Sequence, residues 1–227
     1  MIENYTPNSV VSGTSYVDTI ENHAGGAKIY AGAGNDYIFS STTADHTINN
    51  DWGHVTIDGG DGNDTVKSLN WRVSISGGAG ADSIYTGAFN YVTLNGGTGN
   101  DTIAAGGSYK VIQYAAGDGN DVITGINATD TINITGGAAS TVASGSDVIV
   151  NVGSGSMTLK NAVGKSFKIV SPVYGVNVSN YGRNSVVSGT SYADTINNYA
   201  DGAKINAGGG NDYIYSSTTS VTIDGGA

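Results

Sequence analysis

Apolar residues two positions apart recur along the chain. Val55 and Ile57, Val73 and Ile75, Val92 and Leu94, and Ile112 and Tyr114 form such pairs, with Ala27/Ile29 and Ala203/Ile205 as smaller versions. A period of two places both side chains on one face of a β-strand. A second apolar series follows these pairs, and follows the single Val11 and Val187: Ile20, Ile38, Val66, Ile84, Ile103, Ile123, Ile196 and Ile214. Between the two series lies a Gly-rich turn that ends in Asp. Each unit therefore reads strand, Gly-rich turn, strand, second turn.

The turns repeat closely. They read AGAGND (31–36), GGDGND (59–64), GGAGAD (77–82), GGTGND (96–101), AGDGND (116–121) and AGGGND (207–212). Two looser versions, SGTSYVD ending at Asp18 and SGTSYAD ending at Asp194, come first in their series. Asp18 to Asp36, Asp64 to Asp82, and Asp194 to Asp212 are steps of 18 residues, Asp82 to Asp101 is 19, and Asp101 to Asp121 is 20. The step from Asp36 to Asp64 is 28. A longer repeat accounts for it. VVSGTSYVDTI returns as VVSGTSYADTI at an offset of 176, whereas VTIDGG (55–60) returns at 166 (221–226). The first copy thus carries a ten-residue insertion, at roughly 44–54. The second copy ends in mid-repeat, as expected of a segment of a longer tandem array.

A coil of two short strands cannot bury its own apolar face, but stacked coils can, through two parallel sheets with rungs ~4.8 Å apart. The expected fold is all-β: a parallel β-roll, that is, a β-solenoid of about 18 residues per coil. The competing readings are a long helix, disfavoured by the Gly content and the period of two, and disorder without a ligand, since such a core is thin.

Composition sharpens this picture. The chain has 227 residues, with 36 Gly, two Pro and no Cys. Its acidic residues are 17 Asp and only two Glu, for a net charge of −10. Asp favours turns where Glu favours helices, so the acidity belongs to the turns. The negative charge argues against nucleic-acid binding. No apolar run is long enough for a transmembrane segment, and no signal peptide is visible at Met1. The absence of Cys excludes disulfides and thiolate metal sites.

Stacking places one turn carboxylate above the next. Like charges at that spacing repel by roughly 1 kcal/mol per pair even in bulk water. A hard divalent cation between rungs reverses the sign. Ca²⁺ accepts roughly six to eight oxygens in flexible geometry, whereas Mg²⁺ demands a tighter octahedron.

The GGxGxDxUx pattern of these turns resembles the nonapeptide of RTX (repeats-in-toxin, hemolysin-type) proteins, over roughly residues 12–124 and 188–226. The resemblance implies a calcium-bound parallel β-roll with ions held between adjacent rungs. On that basis Asp36, Asp64, Asp82, Asp101, Asp121 and Asp212 are the expected ligands. Asp18 and Asp194 join them with a weaker motif, because Tyr16 and Tyr192 replace a glycine. Backbone oxygens are expected from Gly32 and Gly34, Gly60 and Gly62, Gly78 and Gly80, Gly97 and Gly99, Gly117 and Gly119, and Gly208 and Gly210, since glycine permits positive φ.

One feature departs from the family. Its nine-residue repeats usually run back to back, whereas here the motif recurs once per coil. A one-sided calcium ladder is expected. The opposite edge carries the insertion, Trp71, Phe89 and Tyr109, read as aromatics that shield backbone. Alternation in 147–152 and 156–160 predicts antiparallel hairpins, similar to the β segments that close RTX rolls. The expected organisation is a β-roll over 1–124, a β-rich hairpin cap over 125–170, a linker at 171–175 and the start of a second roll over 176–227. Asp130 and Asp147 are read as turn residues.

No catalytic site is legible. Gly164-Lys165-Ser166 lacks the upstream glycine of a phosphate loop, since position 159 is Leu159. His23, His46 and His54 occupy second-edge turns without ligand spacing. The expected function is a non-enzymatic, Ca²⁺-binding structural repeat of a large secreted or cell-surface bacterial protein: a stalk, adhesin or fibre-forming segment that folds on calcium outside the cell. The family implies type I secretion. Calcium ions are the expected partners, along with self-association through tandem copies and a surface or glycan ligand of unspecified identity. The alternative is an accessory module of a secreted enzyme or toxin whose catalytic part lies elsewhere. Ice binding is set aside, since the residue before the last turn glycine is Thr only at Thr98.

Overall fold

The structure is a computed structural model that describes residues 1–40, 54–165, 167–171 and 175–226. Almost all of the proposed insertion therefore lies outside the described residues, as do His46 and three residues of the 171–175 linker. Among the described residues there is no helix. The chain divides into two compact units, Met1–Lys110 and Val111–Ala227.

The first unit is a parallel β-solenoid. Its strands are β1 (Ile2–Asn4), β2 (Val10–Ser12), β3 (Thr19–Asn22), β4 (Lys28–Ala33), β5 (Tyr37–Ser40), β6 (Thr56–Asp61), β7 (Thr65–Ser68), β8 (Ser74–Ala79), β9 (Ser83–Thr86), β10 (Thr93–Thr98) and β11 (Thr102–Ala105). Odd-numbered strands stack in the order β1-β3-β5-β7-β9-β11, and even-numbered ones as β2-β4-β6-β8-β10. Like residues pair with like. Ile20, Ile38, Val66, Ile84 and Ile103 form one ladder. Val11, Ile29, Ile57, Ile75 and Leu94 form the other. All but Val11 are almost wholly buried, together with Ala27, Val55, Val73 and Val92. The core is thus two aliphatic files with small apolar residues beside them.

The long step falls where the sequence places it. β4 pairs β6 with Lys28 opposite Thr56, and β5 pairs β7 with Tyr37 opposite Thr65. Both sheets advance 28 residues at this rung, so the extra residues enter between β5 and β6 without disturbing either ladder.

The edge away from the Gly-rich turns is held by a buried polar file. The Asn4 side-chain amide donates to Asn22 Oδ1 (2.7 Å), and the Asn22 side-chain amide donates to Ser40 Oγ (3.0 Å) and to the Ala24 backbone carbonyl (2.9 Å). Asn70 also donates to Ser40 Oγ (2.7 Å). Outside this file the aromatics stack across rungs, with Tyr91 on Tyr109 at 5.1 Å and Trp71 edge-on to Phe89 at 6.1 Å.

The second unit contains β12 (Val111–Ala115), β13 (Asn120–Thr124), β14 (Thr131–Thr135), β15 (Ala139–Ser144), β16 (Asp147–Val152), β17 (Gly155–Leu159), β18 (Lys168–Val170), β19 (Val176–Asn180), β20 (Val186–Ser188), β21 (Thr195–Asn198), β22 (Ala203–Asn206), β23 (Tyr213–Ser216) and β24 (Val221–Asp224). One sheet runs β13-β17-β16-β15-β19-β21-β23. Among the described residues, the β15/β16 and β16/β17 pairings are the antiparallel ones. This meander has three strands, so its two outer strands point the same way. β17 pairs parallel with β13 on one side, and β15 pairs parallel with β19 on the other. The remaining strands form the parallel sheets β18-β14-β12 and β20-β22-β24.

A candidate calcium ladder at the Gly-rich turns

Each strand pair delivers a turn onto the turn of the next rung. Gly32, Gly60, Gly78 and Gly97 are consecutive partners in register. Backbone groups link the turns: Gly34 N–H donates to the Asp61 carbonyl (2.6 Å), Gly62 N–H to the Ala79 carbonyl (2.7 Å) and Gly80 N–H to the Thr98 carbonyl (2.8 Å).

The twelve motif glycines all have positive φ, from 98° at Gly208 to 139° at Gly99. Crowding is a second reason for glycine. A Cβ on Gly60 would strike the Gly32 carbonyl oxygen, and one on Gly78 would strike that of Gly60. These carbonyls point along the stack at the next rung.

The aspartates form a chain of their own. The Asp18 amide donates to Asp36 Oδ1 (2.7 Å), that of Asp36 to Asp64 Oδ1 (2.7 Å), that of Asp64 to Asp82 Oδ1 (2.7 Å) and that of Asp82 to Asp101 Oδ1 (2.8 Å). In the second copy Val176 donates to Asp194 Oδ1 (2.6 Å) and Asp194 to Asp212 Oδ1 (2.9 Å). Asp36, Asp64, Asp82, Asp101, Asp121 and Asp194 are all at most 3% exposed.

The second carboxylate oxygen is different. Oδ2 of Asp36, Asp64, Asp82 and Asp212 is buried with no hydrogen-bond partner. Leaving an ionised oxygen buried and unpartnered is strongly unfavourable. Burial accordingly raises the carboxyl pKa of Asp36 and Asp64 and pushes that of Asp82 up to about 7, with the charges of Asp101 and Asp64 adding to the rise at Asp82. A cation on Oδ2 removes this penalty, so the donor set fits Ca²⁺. No group of three or more acidic or histidine side chains that could hold a metal occurs among the described residues. The other ligands must then come largely from backbone carbonyls, which suits a hard cation with many oxygens.

The first glycine of the hexapeptide has a role that its sequence column alone does not reveal. A Cβ on Gly59 would strike Asp64 Oδ2, and Cβ atoms on Gly77 and Gly96 would strike Asp82 and Asp101 Oδ2. In these three turns glycine makes room for the carboxylate, as Gly13 and Gly189 do beside Asp18 and Asp194 Oδ2, whereas Ala31 and Ala207 hold that place in the turns ending at Asp36 and Asp212. The turn ending at Asp121 also differs in detail: Tyr114 occupies an aliphatic position, and its buried hydroxyl donates to the Gly119 carbonyl (2.5 Å). Burial pushes that phenol up to about 12.

The other candidates stand apart from the turns. Asp130 Oδ2 accepts the Asn127 amide (2.8 Å), closing a local turn. Asp147 pairs with Lys160 at 2.5 Å and accepts the Asn161 amide (2.8 Å). The Lys160 hydrogen bond leads the lowering of the Asp147 pKa. His23 stacks on Tyr5 at 4.8 Å.

Part of the chain matches a known repeat family. The family model of the RTX calcium-binding nonapeptide repeat (4 copies) matches residues 12–46, 53–68, 72–92, 93–108 and 204–218. The turns ending at Asp121 and Asp194 lie outside those residues. No curated protein matches. Among solved structures, the chain is similar to the extracellular lipase LipA from Serratia marcescens at 14% identity and a TM-score of 0.37. That alignment covers 70% of this chain and 38% of the lipase. The Asp-closed turns within the matched residues are RTX calcium-binding nonapeptide repeats, and they sit on a parallel β-solenoid.

Proposed function

We propose that this chain is a non-enzymatic, calcium-binding structural module of a large secreted or cell-surface bacterial protein, and that calcium drives its folding outside the cell. The observation that carries the reading is the buried, unpartnered Oδ2 repeated at Asp36, Asp64, Asp82 and Asp212. One such oxygen is a local defect. The same oxygen on successive rungs is a file of half-built cation sites. Asp101, Asp121 and the paired turn glycines complete the proposed ligand set.

A thin aliphatic core and a charge of −10 make the metal-free fold marginal. Binding free energy then becomes folding free energy, as in other metal-dependent small cores. In low-calcium cytosol the chain stays extended and exportable, and in millimolar calcium it closes. Recurrence at an offset of 176 suits a stalk, adhesin or fibre, where repeated modules give reach and multivalency. In this reading residues 125–170 close one ladder and 176–227 begin the next.

Calcium titration of the chelated chain, followed by far-ultraviolet circular dichroism, tests the proposal. The expected result is loss of most β signal in chelator, recovery in millimolar Ca²⁺, and much weaker recovery in equal Mg²⁺. A spectrum indifferent to chelator overturns it.

A further inference from the structure

The first turn of each series is built differently from the rest. In the turn at 13–18, Thr14 stands where the other turns have the first positive-φ glycine, and Tyr16 where they have the second. Thr190 and Tyr192 repeat this in the turn at 189–194. No residue of either turn has positive φ. The backbone conformation shared by the twelve motif glycines is therefore absent from both.

The carboxylate is also differently served. Asp18 Oδ2 accepts the Thr14 amide (2.6 Å) and the Thr14 hydroxyl (2.9 Å). Asp194 Oδ2 accepts the Thr190 amide (2.6 Å), and the Thr190 hydroxyl lies 3.0 Å from Oδ1 and 3.3 Å from Oδ2. Each threonine oxygen in turn accepts the amide of Tyr16 or Tyr192, at 3.1 Å in both turns. The oxygen left bare at Asp36, Asp64, Asp82 and Asp212 is here satisfied from within the chain. The donor set that fits a cation elsewhere does not fit one here.

We propose that the SGTSY(V/A)D turns are calcium-free starter rungs, in which a threonine takes the place of the ion. The proposal rests on the calcium reading of the other turns and limits it: Asp18 and Asp194, expected from the sequence as ligands, hold none. The starter turn still docks the next one. The Thr14 carbonyl accepts the Ala33 amide (3.0 Å), and the Thr190 carbonyl accepts that of Gly209 (2.9 Å). The Asp18 and Asp194 amides meanwhile hold Oδ1 of Asp36 and Asp212. Each starter therefore offers a finished template before any ion binds, and orients the first carboxylate of the ladder. Two turns separated by 176 residues show the same arrangement, which marks it as a designed start.

Counting bound calcium per chain by native mass spectrometry tests this. Asp64→Asn is expected to lose at least one ion, while Asp18→Asn and Asp194→Asn keep the wild-type count. Thr14→Gly combined with Tyr16→Gly restores both motif glycines and is expected to take up one ion more than wild type. Loss of an ion in Asp18→Asn or Asp194→Asn, with the β spectrum retained, overturns the starter proposal and leaves the ladder reading standing. So does a glycine-restored variant whose count stays at wild type, which also decides the matter if Asp18→Asn does not fold. A wild-type chain that binds no calcium overturns the ladder reading, and the starter proposal falls with it.

Discussion

At the scale of single residues, the buried turn carboxylates should make stability depend on pH. Burial first, then the neighbouring aspartates, pushes the Asp82 carboxyl up to about 7, against a usual value near ~3.9. Its folded pKa lies above its unfolded one, so the folded state binds the proton more tightly. Metal-free stability is then greatest below the unfolded pKa and declines as pH rises through about 7. Thermal melts of the chelated chain should show a higher midpoint near about pH 5 than near about pH 8, with the difference reduced in saturating calcium. Asp82→Asn separates the two terms. It removes the buried charge, so it should raise the midpoint in chelator at neutral pH, yet lower the response to calcium. A variant destabilised in both conditions would refute a cation-binding role. Gly60 argues the same point from the backbone. With φ of 102° and the Gly32 carbonyl against its α-carbon, Gly60→Ala should cost about 1–3 kcal/mol, read from calcium-loaded denaturant melts.

At the scale of elements, each rung is two short strands whose like residues stack. Ile20, Ile38 and Val66 meet because all three lie two residues after a turn aspartate. That file was legible in the spacing alone. The polar file opposite was not, because Asn22 and Ser40 differ in identity and align only once the rungs are stacked. Asn22 is wholly buried and bonded to Asn4, Ser40 and the Ala24 carbonyl. Asn22→Ala removes these bonds, with Ser40 Oγ still served by Asn70, and should cost about 1–3 kcal/mol in calcium-loaded melts. The meander β15–β16–β17 shows the same limit. Alternation announced the hairpins, but only pairing shows that three strands preserve the direction of the sheet from β13 to β19.

At the scale of the whole chain, acidity and architecture are one property. A net charge of −10 would oppose compaction if the carboxylates were free, and the periodic turns gather many of them into files. On the proposed reading, bound calcium would turn those files from a repulsion into a cross-link between rungs. Removing calcium should therefore act cooperatively over neighbouring rungs, since each ion would be shared by two turns. Hydrogen exchange in a calcium titration should show protection of β5, β7 and β9 rising together. Protection gained independently at each rung would speak against a shared ladder.

By itself the sequence determined the rung length, the two aliphatic files, the site of the long step and the aspartates and glycines of the turns. All of these follow from periodicity, because stacking forces equivalent positions into contact. The tertiary structure decided what periodicity cannot express: which carboxylate oxygen is left bare. Asp18 and Asp64 occupy the same place in the repeat. One is capped by the threonine of its own turn, while the other keeps Oδ2 buried and unpartnered beside Gly59. A glycine stands against that oxygen in both turns, so the difference lies in which groups donate to Oδ2, and this exists only once the turns are folded and stacked.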